Sequence, residues 1–292
     1  MKERNRLRTR FAPSPTGHLH LGHGYAAVQI WDWAARTNAT VLLRIEDIDQ
    51  TRCRPAFVTG IFDDLHWLEV AWPTPVMVQS QRMEAYHDGL DYLHAMGVLY
   101  PCFCSRREIA EAQIASAPHG VPPPYPGTCR GLTHAQRIRR MQETPDFAWR
   151  IDTKQACQHT GALQWTDFDG HTHDIPQECL DDFIVARKDI ALSYHLAVVL
   201  DDAAQGISHI IRGDDLRDAL APHRLLQALL GFTPPLYHHH ALVHDAGKRL
   251  AKRHDSLRLS SLRKQGWEAS DVIAALRTHR LHEISPTLHV GT

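Results

Sequence analysis

The chain has 292 residues, 43% of them hydrophobic, and Lys+Arg 32 against Asp+Glu 33 gives a formal charge of -1. That length can bury one large core or two modest ones, and the neutral balance excludes a global electrostatic footprint for nucleic acid, so any RNA contact has to come from local basic patches. There is no apolar run of membrane-spanning length, and the charged start MKERNRLRTR has no apolar segment behind it, so neither a membrane span nor a secretory signal is expected and the cytoplasm is the expected location.

In chain order, LRTRFAP reads as a short strand that stops at Pro13 and Pro15, which cannot donate to a ladder. HGYAAVQIWDWAAR follows with Ala27, Ile30, Trp31 and Ala34 at helical spacing, and ATVLLRIEDID is an apolar run of strand length ending in acids. Strand, glycine-bearing turn, helix and strand form the first unit of a parallel, doubly wound sheet. Helices are expected in PAFVTGIFDDLHWLEV and RMEAYHDGLDYLHAMG. From Tyr100 to Pro126 the chain changes character, with CFC, a short polar helix and the proline-rich HGVPPPYPGTC, and reads as an insertion. Apolar or alternating runs return in FAWRID, ALQWTDFDG, YHLAVVLDD and ISHIIRGDD; the last leads into a helix through LRDALAPHRLLQALLG, and the tail from Leu257 has helical patterning.

The expected class is α/β: a Rossmann-like doubly wound parallel sheet with a zinc-binding insertion and a mostly helical C-terminal portion. The expected division is 1–100 for the first half of the catalytic domain, 101–130 for the insertion, 131–220 for the remainder and 221–292 for the last portion. Local basic patches are RNRLRTR and the segment of Arg137, Arg139 and Arg140. The run HHH at 238 to 240 is not expected to hold a metal, because adjacent residues point in different directions.

RFAPSPTGHLHLGH, residues 10 to 23, carries the chemistry of the first unit. At the carboxyl end of a parallel strand, a helix N-terminus offers free N–H groups and partial positive charge to a polyanion. Gly17 and Gly22 remove Cβ atoms where a phosphate or ribose must approach, and His20 and His23 flank the turn as donors. This describes a nucleotide triphosphate cradle without a P-loop lysine, since no GxxxxGK[ST] occurs.

The whole segment resembles the nucleotide-binding signature of class I aminoacyl-tRNA synthetases, and R-x-A-P-S-P-T-G resembles that of their glutamyl branch. Downstream, RLAKR at 249 to 253 resembles the K-M-S-K-S loop of the same family, with Lys252 on the lysine that contacts ATP. It departs from the pattern at Arg249, Ala251 and Arg253. The resemblance implies adenylation, in which a substrate carboxylate attacks the α-phosphate of ATP and pyrophosphate leaves, with Mg2+ accompanying the nucleotide. ATP is then bound by Gly17, His20, Gly22, His23 and Lys252, with His20, His23 and Lys252 neutralising phosphate charge. It also places Arg10 and Arg212 on the carboxylates of L-glutamate, Ala12 and Ser14 along the pocket, and Glu46 and Tyr194 at the ammonium and the side wall.

Cys102, Cys104 and Cys129 are three soft ligands, and zinc wants four. Read from the residues, Tyr125, His119 and Cys157 are all candidates for the fourth place. The set Cys102, Cys104, Tyr125 and Cys129 resembles that of a short glutamyl-synthetase-like subfamily, which implies one structural Zn2+ per chain. Fewer than about forty residues follow the second signature, too few for another core. Resemblance to this shortened form implies transfer of activated glutamate to queuosine in the anticodon stem-loop of tRNA(Asp), by a monomer. The alternatives are a glutamyl-tRNA synthetase catalytic fragment and a non-enzymatic adenylate- or tRNA-binding paralogue.

Overall fold

Five short parallel strands carry the molecule. In the computed structural model, which describes residues 6–105, 107–109, 125–187, 192–250 and 257–291, β1 (Arg8–Phe11) pairs with β2 (Thr40–Ile45), and β2 with β3 (Met77–Val78). β9 (His209–Gly213) pairs with β10 (Leu236–His240), Arg212 opposite His239. The two groups are stitched together at the start of β9: Ser208 N donates to the Arg8 carbonyl at 3.0 Å, and Arg8 N donates to Ser208 Oγ at 2.9 Å. The spatial order β3-β2-β1-β9-β10 is Rossmann-like.

Both faces of this sheet are covered because its strands alternate between two cores. Leu43 and Ile211 pack with the helices Leu21–Thr37 and Pro55–Trp67, whereas Leu42, Ile210 and Tyr237 pack with Met83–Ala95, Tyr194–Ala204 and Leu220–Leu229. The first helix opens on a capping box made by His20 and His23 and ends at Asn38, whose φ of 56° lies in the left-handed region.

Between the halves lies an antiparallel body. β4 (Leu99–Cys102) pairs with β5 (Ala148–Ile151), which pairs with β8 (Ile184–Arg187), and β6 (Leu163–Thr166) forms a hairpin with β7 (Thr172–Ile175). Cys102 is the last residue of β4, and this body extends well past residue 130. Among the described residues no helix is long and apolar enough to cross a membrane.

Two expectations change. YHLAVVLDD is helical from Tyr194 to Ala204, because Ser193 caps its first turn and Leu196, Ala197 and Val199 bury one side. The portion 221–292 is mixed rather than mostly helical. It supplies β10 to the main sheet and a three-stranded antiparallel sheet of β11 (Val243–Asp245), β12 (Lys248–Arg249) and β13 (Leu288–Val290), beside the helices Leu259–Lys264 and Ala269–Arg277.

Charge lies inside the fold. Arg44 on β2 has no exposure; its Nη1 donates to Asp202 Oδ1 at 2.8 Å and to Gln205 Oε1 at 2.7 Å, its Nη2 to Glu46 Oε1 at 3.2 Å, and its Nε lies 3.7 Å from Asp201. Arg10 on β1 shares Asp202, with Nε 3.2 Å from Oδ1. Asp201 accepts from Gln79 Nε2 at 2.9 Å, Arg82 Nε at 2.7 Å and Tyr86 Oη at 2.9 Å. Burial alone would pull the Arg44 guanidinium down, but Asp202, Glu46 and Asp201 outweigh it and push it up. Replacing one member of such a buried network leaves the others uncompensated. Arg44→Leu is expected to cost about 3–5 kcal/mol in urea unfolding; a loss under about 1 kcal/mol would mean that the carboxylates are satisfied without it.

Candidate active site

The segment between β1 and the first helix lines two hollows. Its backbone is pinned from outside, since Glu46 N donates to the Pro13 carbonyl at 3.1 Å and Arg54 N to the Pro15 carbonyl at 3.2 Å. Ser14 and Thr16 then face a cleft of about 610 Å³ with Glu46, Gln79, Arg150, Arg187, Tyr194 and His195. Farther along, His20, Gly22 and His23 line a hollow of about 220 Å³ with Gly213, Asp215, His240 and Leu250. Ala12 and Gly17 lie half-buried in the same segment, Gly17 within a bend.

The imidazoles have assigned roles in the second hollow. Gly22 N donates to His20 Nδ1 at 3.1 Å and His20 N donates to His23 Nδ1 at 3.1 Å, with the ring centroids 3.8 Å apart. With Nδ1 accepting, each neutral ring carries its hydrogen on Nε2 and is a donor there. A Cβ on Gly22 would press on the His20 ring at 3.0 Å, and a side chain on Gly213 would collide with the Asp215 carboxylate.

The far end of the chain returns to the same place. Leu250 lines the second hollow, Arg258 forms a bridge with His20, and Leu259 N donates to the Leu19 carbonyl at 3.1 Å. Both described ends of the 251–256 segment are therefore anchored at this hollow. Lys252 itself lies outside the described residues, as do His119 and most of the proline-rich stretch.

In and beside the cleft, the two sequence-predicted arginines differ. Arg10 is tied to Asp202. Arg212 is 4% exposed; its Nε donates to His239 Nε2 at 3.0 Å and its Nη1 to His223 Nδ1 at 3.2 Å, while its buried Nη2 has no hydrogen-bond partner. Burial pulls its guanidinium below the usual range. Burial also pushes Glu46 up, against the pull of Arg44 and Arg10. Tyr194 is 38% exposed, yet desolvation of its phenol and the Glu46 charge push it up to about 12. The nearby imidazoles are held neutral: burial and the Arg212 charge lower His195 to about 4 and His239 to about 3, and His223 well below its ordinary value.

The three cysteines converge with the tyrosine. Tyr125 Oη lies 3.3 Å from Cys102 Sγ and 3.4 Å from Cys104 Sγ, and Cys104 Sγ lies 3.5 Å from Cys129 Sγ. Phe103 N donates to Cys129 Sγ at 3.4 Å, and the Arg150 guanidinium lies 3.9 Å from the Tyr125 ring centre. Hydrogen bonding from Cys129, against the effect of burial, lowers Cys102 to about 4. This is a cluster that could hold a metal ion. Cys157 instead packs against the second core.

Comparison with known proteins bears on this geometry. Residues 6–282 match the family described as tRNA synthetases class I (E and Q), catalytic domain. The chain belongs to that family. The synthetase is 44% identical over 275 residues to a protein named glutamyl-Q tRNA(Asp) synthetase from Rhodobacter capsulatus, covering 90% of this chain and 97% of the relative. It is 39% identical to the protein of the same name from Nitratidesulfovibrio vulgaris, covering 92% and 85%. A crystal structure of glutamate-tRNA synthetase from Elizabethkingia anophelis superposes with a TM-score of 0.71 at 25% identity, over 90% of this chain but only 54% of that one. The synthetase is a class I aminoacyl-tRNA synthetase-like ligase.

Arg44, Asp201, Asp202, His195, His223 and His239 were not picked out from the sequence. A signal existed for some of them. Read as a helix, 194–204 sets Tyr194 and His195 two turns before Asp201 and Asp202 on one side, and Arg44 and Glu46 share one face of β2. The three consecutive histidines diverge: His238 faces Phe168 at 5.5 Å between centroids, His239 meets Arg212, and His240 lies 5.3 Å from Tyr25. Arg137 and Arg140 lie over Tyr100 and Phe103, and Arg139 pairs with Glu143 at 2.7 Å.

The neutral imidazoles predict a pH dependence. Unfolded histidine titrates near about 6.5, so below that the unfolded chain binds protons that folded His195 refuses, and stability falls as the pH drops from about 6.5 to about 4. A His195→Gln variant should show a flatter urea stability profile across that window; an unchanged slope would remove His195 as the source.

Proposed function

We propose that the synthetase activates L-glutamate with ATP as glutamyl-adenylate and transfers the glutamyl group to queuosine in the anticodon stem-loop of tRNA(Asp). The observation that carries the glutamate assignment is Arg212: a buried cation with one nitrogen unpaired and no carboxylate bound to it among the described residues calls for an anion from outside. The Glu46 carboxyl beside the cleft suits the substrate ammonium, and Tyr194 and Ser14 border the same space. A carboxylate oxygen of glutamate attacks the α-phosphorus; the bond to the bridging oxygen breaks, and pyrophosphate leaves with the electron pair. The substrate is its own nucleophile, so the protein's task is positioning and charge stabilisation. His20 and His23 offer Nε2–H donors to phosphate oxygens, with Gly17 and Gly22 giving room. Lys252, two residues beyond Leu250, is assigned to the phosphates, and Mg2+ travels with ATP.

The acceptor is assigned from the relatives named glutamyl-Q tRNA(Asp) synthetase, of which the match covers 97% in one and 85% in another. A glutamyl-tRNA synthetase catalytic fragment is the second reading, supported by the superposition with half of such an enzyme. The cytoplasm, where ATP and tRNA meet, is the assigned location.

Cys102, Cys104, Cys129 and Tyr125 are assigned to one Zn2+. With zinc-sulfur bonds near about 2.3 Å, tetrahedral ligand edges run about 3.5–3.8 Å, close to the 3.3–3.5 Å separations here. Such a closed site supplies folding energy and no chemistry. Cys104→Ser should lower bound zinc, read by atomic absorption, together with thermal stability; full zinc content would count against the assignment.

The functional test uses ATP, labelled glutamate and tRNA(Asp) with and without queuosine. Glutamate-dependent ATP–pyrophosphate exchange and label on the queuosine-bearing tRNA alone are expected. Label on tRNA(Glu) instead would favour the second reading, and no exchange by folded protein would favour a binding paralogue. Lys252→Ala should slow exchange about 100-fold or more while leaving unfolding unchanged; a wild-type rate would take Lys252 out of the site.

A further inference from the structure

Arg10, Arg44 and Arg212 are buried on the central strands, and they are answered differently. Arg44 meets Asp202, Glu46 and Asp201, and Arg10 meets Asp202. Among the described residues, the hydrogen-bond partners of the Arg212 side chain are both imidazoles. We propose that His223 and His239 are positioning residues that clamp Arg212 from two sides and leave its Nη2 as the donor presented to the glutamate carboxylate. The proposal rests on the glutamate reading above and assigns a role to two residues outside both signature segments.

The chemistry of the contacts carries it. A guanidinium only donates, so the nitrogen receiving each hydrogen bond has to be unprotonated. His239 therefore accepts through Nε2 with its hydrogen on Nδ1, and His223 accepts through Nδ1 with its hydrogen on Nε2. Two neutral acceptors fix the plane of the fork without cancelling its charge. A carboxylate in either place would hold Arg212 as firmly and remove the attraction a substrate anion needs, as Asp202 does for Arg10. His223 is 1% exposed and its Nε2 is also unpaired, so a second buried donor lies within the same cluster. Tyr237 backs the arrangement, with its ring centre 5.3 Å from the Arg212 guanidinium and its ring stacked with His239.

The test separates acceptor from bulk. Asn places an oxygen near the Nδ1 position of His223, and Gln places one near the Nε2 position of His239; Leu fills space and accepts nothing. In ATP–pyrophosphate exchange, His223→Leu and His239→Leu are expected to raise KM for glutamate about tenfold or more, the scale of one lost hydrogen bond to a charged group. KM for ATP should stay within about twofold, and His223→Asn and His239→Gln should recover most of the loss. Unchanged glutamate KM in both Leu variants overturns the clamp, as do equal changes for ATP and glutamate, or acceptor variants no better than Leu. If His223→Leu does not fold, the half-buried His239 pair decides alone. If the wild type shows no glutamate-dependent exchange, it is the functional reading that fails. The clamp is then read from imidazole ¹⁵N resonances: an unprotonated Nδ1 in His223 and Nε2 in His239 uphold it, and the opposite tautomers overturn it.

Discussion

A guanidinium without solvent needs acceptors around it, and the way carboxylates answer Arg44 organises this molecule. Asp202 and Asp201 come from the helix Tyr194–Ala204, Glu46 from the end of β2, and Arg10 joins from β1. The charges thus bolt that helix across the carboxyl ends of two central strands. Tyr194 and His195, at the start of the same helix, are held over the cleft, and Glu46 faces it, its carboxyl pushed up by burial against the pull of Arg44 and Arg10. Such a network contributes little net stability over an apolar core of equal volume. What it supplies is a fixed position for the groups around it.

The same accounting distinguishes Arg10 from Arg212. Resemblance alone assigns both to substrate carboxylates, but Arg10 spends its Nε on Asp202 while Arg212 stays without a direct carboxylate partner. In this state Arg10 has a carboxylate beside it and Arg212 has two imidazoles. The imidazoles that hold Arg212 stay neutral because burial and its own charge depress them, so the clamp and the uncancelled charge reinforce each other.

Much of the hollow at the start of the first helix was legible because its signals are local. The prolines that end β1, the small residues, and two histidines three apart at a helix start all act within one turn, and the capping box follows from them. The surroundings of Arg212 and the cleft were less so. Their parts lie on β1, β2, β9, β10 and two helices, and YHLAVVLDD offers an apolar run that fits a buried strand until Ser193 is seen as a cap. His223 and His239 become neighbours only when β10 and the helix before it are folded around Arg212. The fourth partner of the cysteines was open for the same reason, since Tyr125 joins them through a loop closure that spacing does not dictate.

The account turns on where a carboxylate binds. A crystal structure with L-glutamate and a non-hydrolysable ATP analogue tests this directly. The account predicts a glutamate carboxylate within about 3 Å of Arg212 Nη2, with His223 and His239 still accepting and Asp202 still on Arg10. A carboxylate bound to Arg10 after displacing Asp202, with Arg212 Nη2 still unpaired, would contradict it.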